Sequence, residues 1–251
     1  MKRYIGLLSE VSDLTNRNQI DVDAYVNIAH KYRGKILELG SGSGTISIGL
    51  AKEGYDVTCL EIHRDMIHLH EEKLDGNLEK NTTIVLGDMC SFDLNEKYDL
   101  IIAAGNLINS IMSAEEVHNM LASVKKHLSD VGVFVIECEY PNINRLIIDQ
   151  DKEKVEYLEN PRTKMRVENR IRSHYNFLEM TRQDHIVVTE FKEERIKRRI
   201  QISRDYRIWT VDEIRDFIKN NAFNIMLESG DINTVEPITE KSSHMIFFLK
   251  R

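Results

Sequence analysis

The chain has 251 residues, 41% of them hydrophobic and 30% charged, with a formal net charge of −7 at pH 7. This length suits one α/β core with an insertion, and no stretch approaches the roughly 20 apolar residues that a membrane-spanning helix needs. The acidic balance argues against a nucleic-acid partner, because such binding depends mainly on Lys and Arg. The N-terminus lacks a secretory signal pattern, so we expect a cytoplasmic protein that binds no membrane.

The first half of the chain alternates apolar strands with helices. Residues 21–33 have the three-and-four apolar spacing of an amphipathic helix. Near-continuous apolar strands between helices predict a doubly wound, mostly parallel sheet covered on both faces. The predicted strands are 35–39, 56–62, 82–88, 98–105 and 132–139, and the predicted helices between them are 45–54, 65–78 and 114–128.

Beyond Pro141 the pattern changes to period-two features and long polar runs, which predict antiparallel strands with one exposed face. A helix at 210–221, with Thr210 and Glu213 at capping-box spacing, then returns the chain to the core. The last two predicted strands form an antiparallel hairpin at the edge of a seven-stranded sheet. The strands after Pro141 are expected at 164–177, 184–191 and 195–206, and the terminal pair at 223–229 and 244–250.

These patterns predict two units. Residues 1–140 and 209–251 form a Rossmann-like core, and residues 141–208 form a β-rich lid that binds the substrate. We also expect the three cysteines to be reduced and buried, because each lies in or beside an apolar run. They are Cys59, Cys90 and Cys138.

A glycine-rich turn, Glu38-Leu39-Gly40-Ser41-Gly42-Ser43-Gly44, joins the first strand to its helix. Such a turn lets the backbone approach a ligand, and the helix N-terminus offers unpaired N–H groups. A tight turn that only packs helix on strand is the alternative. A dinucleotide fingerprint would place glycine five residues after Gly40, where this chain has Thr45, so a nicotinamide cofactor is disfavoured.

Two acids follow the next strands. Glu61 ends the second strand, 21 residues after Gly40, where its carboxylate could accept hydrogen bonds from both hydroxyls of a ribose. Asp88 ends the third strand at the edge where open α/β sheets bind ligands, and could accept from an exocyclic amine. Each could instead be an ordinary strand-end or turn acid. Together with the glycine turn, they predict a ligand that contains ribose and adenine.

At this point the sequence resembles the class I S-adenosylmethionine-dependent methyltransferases over residues 35 to about 139. The resemblance implies S-adenosylmethionine as cofactor, with its methionine part on the glycine turn, its ribose at Glu61 and its adenine at Asp88. It also implies that the segment Ala104-Gly105-Asn106 lies beside the sulfonium. The implied cofactor-binding set is Glu38, Gly40, Ser41, Gly42, Gly44, Glu61, Ile62, Asp88, Met89, Ala104 and Gly105.

Outside the core, residues 103–110, the β-rich insertion and residues 207–214 resemble the small-molecule branch that includes glycine and aminosugar N-methyltransferases. The sequence departs from that branch at residues 129–132, where a Pro-Gly-Gly turn is common, and at His63, where Ser is common. The resemblance implies methyl transfer to nitrogen, or oxygen, of a small polar molecule. In-line displacement of this kind needs mainly positioning and desolvation.

The residues expected to face the acceptor follow carboxyl-edge strands or lie in the lid. His174 could take a proton, since its free pKa is near neutrality, and Tyr140 is the second catalytic candidate. A surface role for His174 and a packing role for Tyr140 are the alternatives. The predicted acceptor-binding set is Asn106, Glu139, Tyr140, His174 and Tyr175.

Three histidines near the second helix, His63, His68 and His70, are expected on a solvated helix face, and no metal is expected. Between Arg162 and Arg207 there are 13 Lys or Arg and 7 Asp or Glu, a local balance of 13 − 7 = +6. This excess could attract an anionic acceptor such as a nucleotide-linked sugar, or it could be a solvated lid face.

Two other functions stay open from sequence alone. One is a methyltransferase acting on protein or RNA, and the other is a non-catalytic cofactor-binding subunit. The oligomeric state is open between monomer and homodimer.

Overall fold

The computed structural model describes residues 6–160 and 162–251, without the side chains of residues 16–19. Helices and strands alternate up to β5, four long strands follow, and one helix and two strands close the chain. The helices are α1 Leu7–Gln19, α2 Val22–Lys31, α3 Thr45–Lys52, α4 Arg64–Glu71, α5 Leu78–Asn81, α6 Ala114–His127, α7 Ile143–Asp149 and α8 Val211–Asn220. The strands are β1 Ile36–Leu39, β2 Val57–Glu61, β3 Thr82–Leu86, β4 Tyr98–Ala103, β5 Leu128–Glu139, β6 Glu153–Glu159, β7 Arg166–Asn176, β8 Thr181–Lys192, β9 Arg195–Arg207, β10 Asn224–Ser229 and β11 His244–Lys250.

The main sheet has seven strands in the order β10-β11-β5-β4-β1-β2-β3. Strands β1 to β5 pair in parallel, whereas β11 pairs antiparallel with both β5 and β10. The chain order reverses at β1, so the turns after β1 and β4 lie side by side at the carboxyl edge, where such sheets bind ligands. The predicted fold class, a mostly parallel seven-stranded sheet with a C-terminal antiparallel hairpin, is confirmed.

Helices cover both faces of this sheet, which explains the continuous apolar strands. On one face α6 and α8 pack through residues such as Met120 and Phe217. On the other face α2 and α3 pack through Tyr25, Ile28 and Leu50. Every residue of β1 is buried, as a strand between two helical layers requires.

A second sheet contains β6, β7, β8 and β9, all antiparallel. Helix α1 packs on one of its faces, where Leu7, Leu8 and Val11 meet Val167 and Val188. The sequence predicted β7, β8 and β9 but not β6 or α1. The four strands fall inside the predicted lid, and the division of the chain into core and lid remains a prediction.

The helix predicted at 65–78 ends instead at Glu71. Asp75 Oδ1 accepts a hydrogen bond from Leu78 N–H at 3.3 Å, and Gly76 lies in the turn between α4 and α5. These turn-forming residues end the helix early. No helix in the described part of the chain is long and apolar enough to cross a membrane.

The cysteines carry free thiols. Cys59 and Cys138 are buried as predicted, whereas Cys90 is only partly buried, because it lies in the turn after β3 rather than within a strand. Burial raises the pKa of all three thiols, that of Cys90 to about 12.

Candidate active site

The turn after β1 bends sharply through its glycines. Gly40, Gly42 and Gly44 have φ values of +61°, +56° and +83°, in the left-handed region that other residues rarely adopt. A Cβ on Gly44 would lie 2.3 Å from the His70 ring, so close packing requires glycine there. A Cβ on Gly42 would meet only Met66 Cε, at an ordinary 3.7 Å. The space beside Gly42 is therefore largely open among the described residues.

The carboxylate of Glu61, at the end of β2, lies against this turn. One oxygen accepts a hydrogen bond from Gly42 N–H at 2.9 Å. The other accepts from His63 N–H and contacts His63 Nδ1, both at 2.8 Å. His63, where the related branch often has Ser, therefore helps to orient Glu61. The carboxylate is fixed where the sequence predicts a ribose, and that role remains a prediction.

Two buried polar atoms beside the turn, Glu38 Oε2 and Ser41 Oγ, have no hydrogen-bond partner within the described residues. Burial raises the pKa of Glu38 to about 8, against the effect of its contacts with Ser47. A buried polar group without a partner costs about 1–3 kcal/mol and is uncommon. Such atoms, beside a turn with open space at Gly42, fit a polar ligand such as the expected cofactor.

The other predicted cofactor residues continue along the same edge. Ile62 follows Glu61 and is 39% exposed. Asp88 lies beyond β3, and its Oδ1 accepts a hydrogen bond from Cys90 N–H at 2.8 Å. Asp88 is exposed, whereas the next residue, Met89, is buried. Because β2 and β3 are parallel neighbours, these residues lie at the same edge of the sheet as the glycine turn.

The segment after β4, Ala104-Gly105-Asn106, is held by an acid that the sequence analysis missed. Glu137, buried in β5, accepts hydrogen bonds through Oε2 from Gly105 N–H at 2.6 Å and from the Tyr25 hydroxyl. Burial and the nearby Glu137 raise the pKa of Tyr25, which keeps its hydroxyl a donor. The backbone beside the predicted methyl-transfer point is therefore anchored to β5 and α2.

A small cleft lies between the end of β5 and the second sheet. Glu139 accepts a hydrogen bond from Arg182 Nη1 at 2.8 Å and lies 3.5 Å from Asn106 Nδ2. The Arg182 guanidinium also lies 4.5 Å from the centre of the Tyr206 ring and 3.3 Å from Asp184. The lining residues are Asn109, Glu139, Pro141, Leu146, Tyr175, Arg182, Tyr206, Arg207 and Ile208.

Of the predicted acceptor residues, Glu139 and Tyr175 line the cleft and Asn106 adjoins it, but Tyr140 and His174 lie elsewhere among the described residues. His174 precedes Tyr175 in β7, so the two side chains point to opposite faces of the sheet. Its side chain is 56% exposed, with Nδ1 3.1 Å from Asp151 Oδ1. Tyr140 packs against the core of the main sheet. Their catalytic roles remain predictions, without a contact to the cleft that supports them.

The expectation that the three histidines share a solvated helix face was wrong for two of them. His63 precedes α4, and its side chain is only 10% exposed, beside Glu61. His70 lies in α4 but faces inward. Its ring is fully buried beneath Gly44, 3.4 Å from Ser47 Oγ, and burial lowers its pKa to about 4. Helix α4 turns this side chain toward the glycine turn, whereas exposed His68 pairs with Glu72 at 3.2 Å. The described residues contain no metal-binding group of three or more His, Cys, Asp or Glu side chains. The absence of a metal remains a prediction.

The edge site lies within a segment of the chain that matches a known domain family. Residues 36–132 match the family model described as "Methyltransferase domain", and this segment extends from β1 into β5. It contains the glycine turn, Glu61, Asp88 and the loop after β4. The resemblance to class I S-adenosylmethionine-dependent methyltransferases is thereby confirmed for this domain.

Among curated relatives, phosphoethanolamine N-methyltransferase 1 from Triticum aestivum is 32% identical over 132 residues, 51% of this chain and 26% of that protein. A dTDP-3-amino-3,4,6-trideoxy-alpha-D-glucopyranose N,N-dimethyltransferase from Streptomyces venezuelae is 26% identical over 137 residues, 54% of this chain and 51% of that protein. The chain thus aligns with about half, or less, of the length of these relatives.

Solved structures extend the similarity in fold to the whole chain. An S-adenosylmethionine-dependent methyltransferase from Clostridium acetobutylicum superposes with a TM-score of 0.81 at 14% identity, covering 98% of this chain and 99% of that one. The sugar N-methyltransferase KedS8 from Streptoalloteichus superposes with a TM-score of 0.76 at 18% identity, covering 100% and 97%. The second sheet is therefore part of an architecture that other methyltransferases share.

Proposed function

We propose that the chain transfers a methyl group from S-adenosylmethionine to the nitrogen of a small polar amine held in the cleft. The observation that carries this proposal is the position of Glu139. Its carboxylate lines the cleft beside Asn106 and is fixed by Arg182 at 2.8 Å. A carboxylate favours a group that brings N–H donors.

The comparisons support a nitrogen acceptor. The two curated relatives described above are N-methyltransferases by name, one for phosphoethanolamine and one for an aminosugar. KedS8, which shares the fold, is a sugar N-methyltransferase. An aminosugar or a small alkylamine is therefore the class of acceptor to test first.

When bound, S-adenosylmethionine supplies a methyl group that an acceptor nitrogen attacks in line as the carbon–sulfur bond breaks. The residues of the chain position and desolvate this reaction. The glycine turn and Glu61 hold one side of the site, and Glu137 fixes the backbone of Gly105. Glu139 accepts a hydrogen bond from the acceptor nitrogen and so orients it. The Glu139 side chain, 31% exposed, can take the proton that the nitrogen must lose and pass it to water.

The test is incubation with methyl-labelled S-adenosylmethionine and a panel of amines, aminosugars and phenols, with the added methyl located by mass spectrometry. We expect label on nitrogen. Glu139→Gln should lower kcat/KM for the best acceptor at least about tenfold, about 1.4 kcal/mol, while Kd for the cofactor changes less than about twofold. Glu153→Gln, at an exposed carboxylate of β6 paired with Arg170, is the matched control and should leave both unchanged.

Cofactor binding without methylation of any amine would contradict the proposal, as would label found on hydroxyl oxygens alone. If Glu139→Gln methylates a nitrogen with full activity, the proposal of a nitrogen acceptor stands, but Glu139 is not the residue that binds the acceptor.

A further inference from the structure

Helix α1, which precedes the matched domain, reaches the glycine turn through one buried cluster. Ser43 Oγ donates a hydrogen bond to Asp13 Oδ1 at 2.5 Å. Lys73, just after α4, donates from Nζ to the Ser43 carbonyl oxygen at 2.7 Å and also pairs with Asp13. Ser43 is 2% exposed and Asp13 is 6% exposed. The Ser43 side chain is therefore bound by Asp13 of α1, and the Ser43 carbonyl oxygen is bound by Lys73 at the end of α4.

These contacts act on the most flexible part of the proposed cofactor site. Ser43 lies between Gly42 and Gly44, whose backbones can adopt many conformations when nothing restrains them. Fixing Ser43 at both ends restricts the turn before a ligand arrives, and such preorganisation lowers the entropy lost on binding. The low exposure of the Asp13–Lys73 pair strengthens its electrostatic contacts with the turn.

Asp13 itself is fixed by the packing of α1. Leu8 and Val11 of the same helix pack on the second sheet. Glu10 receives two hydrogen bonds from Arg198 of β9, both at 2.9 Å. The helix therefore spans from the second sheet to the glycine turn, and the contacts of Leu8, Val11 and Glu10 with that sheet hold Asp13 at the turn.

From this geometry we infer that Asp13 and Lys73 are positioning residues for S-adenosylmethionine, acting through Ser43. The inference rests on the proposed function, because it assumes that this cofactor binds the turn. It adds a residue outside 36–132, so the matched domain alone is an incomplete cofactor site.

Titration calorimetry with S-adenosylmethionine on the full chain tests the inference. Ser43→Ala removes the hydroxyl but keeps the Asp13–Lys73 pair, so it should fold. We expect its Kd to rise about tenfold, as loss of one hydrogen bond to a charged group allows. Asp13→Ala should weaken binding at least as much. The double variant should bind no more weakly than Asp13→Ala alone, because both changes remove the same contact.

A conservative pair separates positioning from general stability. Lys73→Met should raise Kd, and Lys73→Arg, which keeps the charge, should restore most of the affinity. Thr15→Ala is the control on the same helix, because the Thr15 hydroxyl bonds only to the Val11 and Ser12 carbonyls among the described residues. Its Kd should stay within about twofold of wild type. Urea unfolding of each variant confirms that the folded form is being titrated.

The outcomes are distinguishable. If wild type binds no S-adenosylmethionine, the proposed function fails and the inference falls with it. If wild type binds but folded Ser43→Ala and Lys73→Met bind within about twofold of it, the inference alone is overturned. An equal loss in Thr15→Ala would also overturn it, because the effect would then belong to α1 as a whole.

Discussion

At the scale of single residues, three buried acids near the carboxyl edge differ in the hydrogen bonds that their carboxylates accept. Glu61 receives two backbone N–H groups, from Gly42 and His63. Glu137 receives the Gly105 N–H and the Tyr25 hydroxyl. Glu38 is more deeply buried, and one of its oxygens has no partner among the described groups. Burial raises the pKa of Glu38, so its protonation should respond to pH near neutrality.

The first prediction concerns Glu38 and pH. Its pKa of about 8 in the folded protein lies above the ordinary value of 4.5, so the folded state keeps a proton that the unfolded chain releases between these values. Stability from this group should fall as pH rises from about 4.5 to about 8, by up to about 1.4 kcal/mol per pH unit, and level off above. Glu38→Gln should remove this part of the slope.

Urea unfolding of both proteins between pH 5 and pH 9, with the two free energies subtracted at each pH, measures the contribution of Glu38. Glu153→Gln, which changes an exposed carboxylate of β6, is the control for the loss of a carboxylate. Parallel pH profiles for wild type and Glu38→Gln would show that Glu38 is ionised in the folded state.

At the scale of elements, the glycine turn gives the second prediction. Gly42→Val should abolish detectable binding of S-adenosylmethionine, because the side chain would occupy the space through which a ligand reaches the turn. The fold should persist, since the new Cβ has room, but a φ of +56° costs about 1–2 kcal/mol. Calorimetry and urea unfolding measure the two effects separately.

Gly54→Val is the matched control for this strain. Gly54 has a φ of +85°, no atom within 4 Å of its added Cβ, and a place at the far end of α3. It should lose similar stability and bind the cofactor normally. Normal binding by Gly42→Val would show that S-adenosylmethionine does not bind at the glycine turn.

The elements that sequence could predict are those whose pattern is local. Strands β1, β2, β4 and β5 are apolar runs, and α8 begins with the predicted capping box of Thr210 and Glu213. Helix α1 was not predicted, because its apolar side contacts Val167 and Val188, more than 150 positions away in sequence. Strand β6 was not predicted, because most of its residues are exposed and charged and so give no apolar pattern. Glu137 could have been noticed as an acid inside an apolar run.

At the scale of the whole molecule, the two halves of the site differ in how far sequence reveals them. The predicted cofactor residues follow consecutive parallel strands, so the strand order alone brings them to one edge. The acceptor half depends on the pairing of β7, β8 and β9. That pairing puts Tyr175 in the cleft and His174 on the outer face, and it brings Arg182 to Glu139 across 43 positions. Neither the position of Tyr175 nor the contact of Arg182 with Glu139 can be predicted from the neighbouring residues in the sequence.

The same pairing decides what the basic excess of the lid does. Arg170 and Arg172 lie on the outer face of the second sheet and contact Glu153. In the cleft, Arg182 pairs with Glu139 and Asp184. Arg207, which also lines the cleft, pairs with Glu213. These four arginines therefore either face away from the cleft or are paired with an acid beside it. This arrangement favours the solvated-face interpretation over attraction of an anionic acceptor.

The third prediction follows from this distribution of charge. For an acceptor found by the methylation screen, raising NaCl from about 50 to about 500 mM should raise KM less than about threefold. Charges that are paired, or that lie far from the cleft, attract a ligand only weakly, so screening them with salt changes little. Arg170→Gln should leave KM unchanged, whereas Arg182→Gln should raise it by releasing Glu139. A tenfold or larger rise of KM with salt, at constant Kd for the cofactor, would instead show that the basic lid attracts an anionic acceptor.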